Sequence, residues 1–263
     1  MQVDRRHFLA ALSAVTVGAM GLARCGTAAQ PGAAEATPVA VEQRPALLPP
    51  PPREARIPLP GGGVLSSLPG NGDLLALTVD DGVRSDVVRL YTEFARDTGV
   101  RLTYFVNGAY ASWTDNKALL RPLVDSGQIQ LGNHTWSHPD LTKLPLTGVA
   151  EELRHTHDFL WKNYGIDARP YFRPPYGAHN ANVDKVSAEL GYTANTLWSG
   201  SLQDEVVIPA DEIVRMAERY FAPGVIVIGH LNHEPVTRVY GRLVDLIRER
   251  RLRTVTLRDV YLD

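Results

Sequence analysis

The chain is short of cysteine, of net charge and of long apolar runs, and each shortage removes a class of reading. Cys25 is the only cysteine among 263 residues. No intrachain disulfide can therefore form, and the core alone must hold the fold, which a domain of this size can do. A formal charge of −2 leaves no basic footprint for nucleic acid. The longest uncharged stretch, Phe8 to Ala23, falls short of the ~20 apolar residues needed to span a bilayer. No transmembrane helix is expected in the mature protein.

What is present begins with Arg5-Arg6-His7-Phe8-Leu9, an arginine pair opening the uncharged run. That pattern, followed by small residues, predicts a twin-arginine export signal over residues 1–28 rather than a core helix. Leu22-Ala23-Arg24-Cys25 is similar to a lipoprotein cleavage site, with Arg24 standing where a small residue is usual. A lipid anchor at Cys25 and cleavage near Thr27-Ala28-Ala29 are thus the two alternatives. Residues 29–71 are rich in Ala, Pro and Gly, with Pro49 to Pro52 consecutive and Gly61 to Gly63 near the end. Four prolines in a row favour an extended spacer and exclude a helix interior or central strand.

Residues 72–263 read as one folded domain. Seven short apolar runs rich in β-branched and aromatic residues recur: 74–79, 101–107, 129–133, 170–174, 193–198, 225–229 and 253–257. Helical periodicity separates several of them, as in 86–99 and 183–191, where Gly99 and Gly191 suit helix C-termini. Strands alternating with helices predict an α/β fold with parallel pairing, open or barrel-like. Function in such folds collects at the carboxyl ends of the strands.

Four clusters fall there. Asp80-Asp81-Gly82 ends the first run, and His134 and His138 follow the third. Two imidazoles four apart share a face if a helical turn begins at His134, and with an Asp pair nearby they suggest a His₂Asp metal site with open positions. A cation would also offset the repulsion between the two carboxylates. Arg173-Pro174-Pro175-Tyr176 ends the fourth run, offering a guanidinium for a carboxylate and a fixed backbone N–H for an oxyanion. Ile228-Gly229-His230 ends the sixth, delivering a group that titrates near neutrality.

The order TVDDG, HTWSH, RPPYG and IGH resembles the polysaccharide deacetylases of carbohydrate esterase family 4, over essentially all of residues 72–263. The resemblance implies a distorted seven-stranded (β/α) barrel, an acetylated polysaccharide as substrate, and zinc (or Co²⁺ or Mn²⁺) as cofactor. It implies Asp80 as general base, Asp81, His134 and His138 as metal ligands, Arg173 holding Asp80, and His230 as general acid. The Tyr176 N–H would join the oxyanion hole, with Pro175, Trp198 and Ile228 around the acyl group. With the export signal, it places the enzyme outside the cell or in its envelope.

Departures from the family pattern follow Trp198-Ser199. Its Asp-x-x-Asp-Trp becomes Ser201, Asp204 and Glu205 here, and the aspartate often found after the histidine is Leu231. Ser201 in place of a carboxylate is expected to lower the pKa of His230. These changes leave room for an amidohydrolase acting on a small cyclic amide, or for a carbohydrate-binding module with weakened turnover. Trp113, Trp136 and Tyr110 are candidates for stacking on sugar rings, with core packing as the alternative.

Overall fold

A computed structural model of the protein describes residues 47–48, 56–61, 63–70 and 72–262. The arginine pair, Cys25 and Pro49 to Pro52 lie outside the described residues. All that follows concerns the unit from Arg44 to Asp263.

Its strands are β1 (Ile57–Pro58), β2 (Gly63–Leu65), β3 (Leu74–Asp81), β4 (Leu102–Val106), β5 (Ile129–Asn133), β6 (Tyr171–Phe172), β7 (Ala194–Thr196), β8 (Gly200–Ser201), β9 (Ile226–His230), β10 (Arg253–Thr254) and β11 (Tyr261–Leu262). The helices are α1 (Ser85–Thr98), α2 (Ser112–Asp115), α3 (Lys117–Asp125), α4 (Leu146–Tyr164), α5 (Ala181–Glu189), α6 (Ala210–Tyr220), α7 (Tyr240–Glu249) and α8 (Leu257–Val260). Each of the seven runs expected from the sequence contains a strand, so the α/β expectation holds. Gly99 and Gly191 close α1 and α5 with φ of 81° and 88°, the left-handed conformation glycine adopts without a Cβ clash.

The main sheet is parallel throughout, in the order β2-β7-β6-β5-β4-β3-β9-β8, with β10 beside the start of β3. It curls into a half-barrel. Its edges approach through irregular contacts: Ser67, just past β2, bridges to Val225, and the link from β7 to β8 donates from Ser199 N to Ile226 O. β1 and β11 form a separate parallel pair.

Both faces of the central strands are covered, so β4 and β5 are buried at every position, the usual state of parallel strands between helices and a barrel interior. Leu75, Leu77 and Val79 join the larger core with Val87, Tyr91 and Phe94 of α1. Ala76 joins a smaller core with Phe105, Tyr171 and Ile226. Alternation along β3 therefore sends even-numbered residues inward. The rung Asp80–Phe105 on one side and Asp80–His230 on the other sits at the carboxyl end of that inner face.

Immediately beyond, Gly82 has φ of 103°, and a Cβ there would lie 2.5 Å from the Trp113 ring. Trp113 is fully buried and donates Nε1–H to Asn107 O at 3.0 Å. It is core, unavailable to sugar. Gly82→Ala is expected to cost about 2–4 kcal/mol, combining left-handed strain with overpacking, measurable by urea denaturation.

Candidate active site

The carboxyl ends of β3, β5, β6 and β9 and the loops after them enclose a cavity of about 650 Å³. Asp80, Asp81, His134, His138, Tyr176, Trp198, Ser201, Ile228 and His230 all line it, joined by Tyr110, Pro174, Gln203, Glu205 and Asn232. Pro175, expected at the acyl pocket, is buried and does not line the cavity; its neighbour Pro174 does. Arg173 and Asp204 lie directly beneath, each touching a lining residue.

Arg173 is wholly buried and donates Nη1–H to Asp80 Oδ1 at 2.6 Å. Its Nε and Nη2 donate to Thr196 O and Leu197 O at 2.9 and 3.1 Å, and its guanidinium lies 4.3 Å from the Phe105 ring centre. Burial lowers the Arg173 pKa although Asp80 opposes this, and a guanidinium remains charged even so. Asp80 is thereby held as an oriented carboxylate.

Asp81 ends β3 with φ of 77°. Its Oδ1 is buried without a hydrogen-bond partner and stands 3.4 Å from both His134 Nε2 and His138 Nε2. His134 Nδ1 lies 2.7 Å from Arg173 O; donation to that carbonyl fixes the tautomer and leaves Nε2 with its lone pair toward Asp81. Burial disfavours Asp81 ionisation, but the two imidazoles and Asn232 outweigh it and hold the carboxyl well below the usual range. Burial likewise works against a charge on His134, yet Asp80 and Asp81 raise its pKa. His138 is lowered, by burial and then by His134. The three ligand atoms lie within 4.8 Å of one another. Two imidazole nitrogens and one carboxylate oxygen, the latter the orphaned buried atom, fit a divalent cation with positions left for water and substrate.

The histidine pair is not helical, contrary to the spacing argument. Residues 134–138 form a loop, with Thr135 at φ of 70° and His138 at 61°. Glu152 of α4 pins it, accepting from Trp136 N and Ser137 N at 2.8 Å and from Ser137 Oγ at 2.7 Å. Trp136 is occupied with Gly108, His155 and Phe159; Tyr110 is at the cavity.

The expectation for Ser201 is corrected. Its hydroxyl accepts from Gln203 N, whereas Asp204 takes the His230 side, with Oδ1 3.0 Å from Nδ1 and Oδ2 accepting from His230 N at 3.2 Å. Burial disfavours the imidazolium, but Asp204, aided by Asp80 and Asp81, pushes the His230 pKa up to about 9. The carboxylate was sought three residues too early.

Asn232 was not foreseen at all. Its Nδ2 donates to Asp81 Oδ2 at 2.6 Å, orienting the free oxygen toward the histidines. Its only sequence signal is its place two residues past His230.

Residues 68–195 match the family model described as polysaccharide deacetylase. A chitin deacetylase of Arthroderma benhamiae is 33% identical over 212 residues, covering 76% of this chain and 56% of the relative. The chain spans about half the length of the curated relatives it matches. A family 4 carbohydrate esterase from Streptomyces lividans, solved with acetate, superposes with a TM-score of 0.63 at 27% identity, covering 73% of this chain and 98% of that one. The fold is shared too by a Bacillus anthracis protein described as a family pseudoenzyme, at 18% identity and a TM-score of 0.67, covering 77% and 71%. Fold alone therefore does not imply turnover; the site residues must.

Asn232→Ala should weaken divalent-metal binding by roughly 10- to 100-fold, the usual cost of losing an orienting partner. Isothermal titration calorimetry of the metal-free protein with Zn²⁺ measures this without requiring activity.

Proposed function

We propose that the protein is an exported, divalent-metal-dependent deacetylase of a cell-envelope or extracellular glycan, acting foremost on N-acetyl groups. The observation that carries this is one cavity holding a largely buried Asp-His-His donor set between a carboxylate fixed by an arginine and a histidine paired with a buried aspartate. The match to the polysaccharide deacetylase model and the similarity to a chitin deacetylase support the reaction class. The arginine pair and proline-rich spacer support export, with Cys25 as the atom a lipid would occupy.

A cation held by Asp81, His134 and His138, zinc being the best match to this donor set, would acidify a water and polarise the acetyl carbonyl. Asp80, oriented by Arg173, accepts the proton as water adds to the acetyl carbon. The Tyr176 N–H serves the developing oxyanion, while Trp198 and Ile228 wall the acetyl methyl. His230 then gives its Nε2 proton to the nitrogen as the C–N bond breaks, so that acetate and a free amine leave. Asp204 keeps Nδ1 engaged and the imidazolium stable.

Zinc-loaded protein should release acetate from chitin oligomers or peptidoglycan, and should lose that activity on chelation. Asp80→Asn should bind metal and lower kcat by at least about 10²-fold, the range typical of a lost general base. Absence of release from all such glycans, with zinc stoichiometrically bound, would rule them out as substrates.

The pH profile tests the acid. His230 is raised above its ordinary value, so it keeps its proton below about 9 and loses it as pH rises through that value. The alkaline limb of kcat/KM should therefore move to lower pH in Asp204→Asn, with the acidic limb little changed.

A further inference from the structure

The cavity is lined by three carboxylates, those of Asp80, Asp81 and Glu205, and by no lysine or arginine. Two of these have work already: Asp80 is paired with Arg173, and Asp81 belongs to the donor set. Glu205 differs. It is exposed, and among the described residues its carboxylate has neither a hydrogen-bond partner nor an ion pair. Its backbone is nonetheless held. Asp204, the residue before it, is buried and locked to His230, and the Glu205 carbonyl lies 3.2 Å from His233 Nε2. A Glu205 carboxylate oxygen falls within 4.8 Å of the ligand atoms of Asp204 and His230. A carboxylate with no lysine or arginine partner thus stands beside the histidine that would protonate the leaving nitrogen, where the family pattern noted above has an uncharged tryptophan.

We infer that Glu205 is a specificity residue, favouring glycans that already carry protonated amino groups near the acetamide being cleaved over fully acetylated or carboxylate-bearing ones. This rests on the deacetylase reading and names its substrate class. At the exposed rim of the cavity, a cationic amine is the group that this carboxylate attracts, and an anionic substituent is the one it repels. Val83, 48% exposed, and Tyr176, 70% exposed, line the same cavity and offer apolar faces to the sugar rings, so the carboxylate supplies the charge discrimination.

The test compares acetate release from a fully acetylated chitin tetramer and from tetramers bearing one free amine, using zinc-loaded protein at low and high salt. Per acetyl group, kcat/KM should favour the amine-bearing tetramers by about two- to fivefold at low salt, the scale of an exposed charge pair, mainly through KM. That ratio should fall toward one in Glu205→Gln and at high salt, and Glu205→Lys should reverse it. Because each variant is judged by its own ratio, a general loss of activity does not mimic the effect. An unchanged ratio in Glu205→Gln, or no amine preference in the wild type, overturns the role of Glu205 while leaving the deacetylase intact. No acetate from either tetramer overturns the preference as stated, and release from peptidoglycan under the same conditions then shows that the deacetylase reading survives it.

Discussion

Arg173 is the residue on which the site depends. One side chain, fully enclosed, holds the Asp80 carboxylate and caps the carbonyls of Thr196 and Leu197; its own carbonyl sets the tautomer of His134. The proposed base, a proposed metal ligand and the end of β7 are thus registered to one another through a single position. A buried ion pair is poor evidence of stability, because desolvation offsets its attraction. Breaking one by removing a single partner is a different matter, commonly costing ~3–5 kcal/mol. The arrangement makes sense as pre-organisation, with a charge held in place before substrate arrives.

His134 and His230 have different partners at Nδ1, and this keeps their proposed roles distinct. His134 is bound on one nitrogen by a neutral carbonyl, which leaves the other free as a ligand. His230 is bound by the buried carboxylate of Asp204, which favours the imidazolium. Identical side chains at the carboxyl ends of β5 and β9, two strands of one parallel sheet, thus differ in what faces Nδ1, as the proposed roles of ligand and acid require. That difference in partner, carbonyl against carboxylate, is the same logic by which paired carboxylates diverge in other hydrolases.

Much of this was legible in the sequence, and the exceptions share a cause. The long buried strands declare themselves because parallel strands covered on both faces need continuous β-branched and aromatic runs, as at Leu74–Val79 and Val225–Ile228. The two- and three-residue strands β1, β2, β8 and β11 carry too few residues to show any period. Asp80, Asp81, His134, His138 and His230 stand out because a strand end has no packing use for them. Asn232 and Glu152 do not, since an amide on a loop and an acid on a helix are ordinary surface residues until the fold brings them to the site. Asp204 stands out as a retained acid of the family pattern, but sequence order does not reveal that it, rather than position 201, reaches Nδ1 of His230.

The remaining question is how adjacent aspartates on one strand reach the same cavity, since alternation should send them to opposite faces. Even-numbered residues of β3 face inward, so Asp80 is placed by the sheet itself and Asp81 would point to the helices. The φ of 77° at Asp81 breaks that alternation and turns its carboxylate to the cavity. The same device recurs: Thr135, His138, Tyr176 and Gln203 also have positive φ, leaving Arg251 as the one such non-glycine residue away from the site among the described residues. Each costs of order 1–3 kcal/mol, and packing must over-determine them, as Trp113 does against Gly82 and Glu152 does beneath Trp136 and Ser137. Regular strands deliver Asp80 and His230; strained backbone delivers Asp81 and His138. The barrel supplies the rigid half of the site, and the loops reach the other half only by adopting conformations that a free chain would avoid.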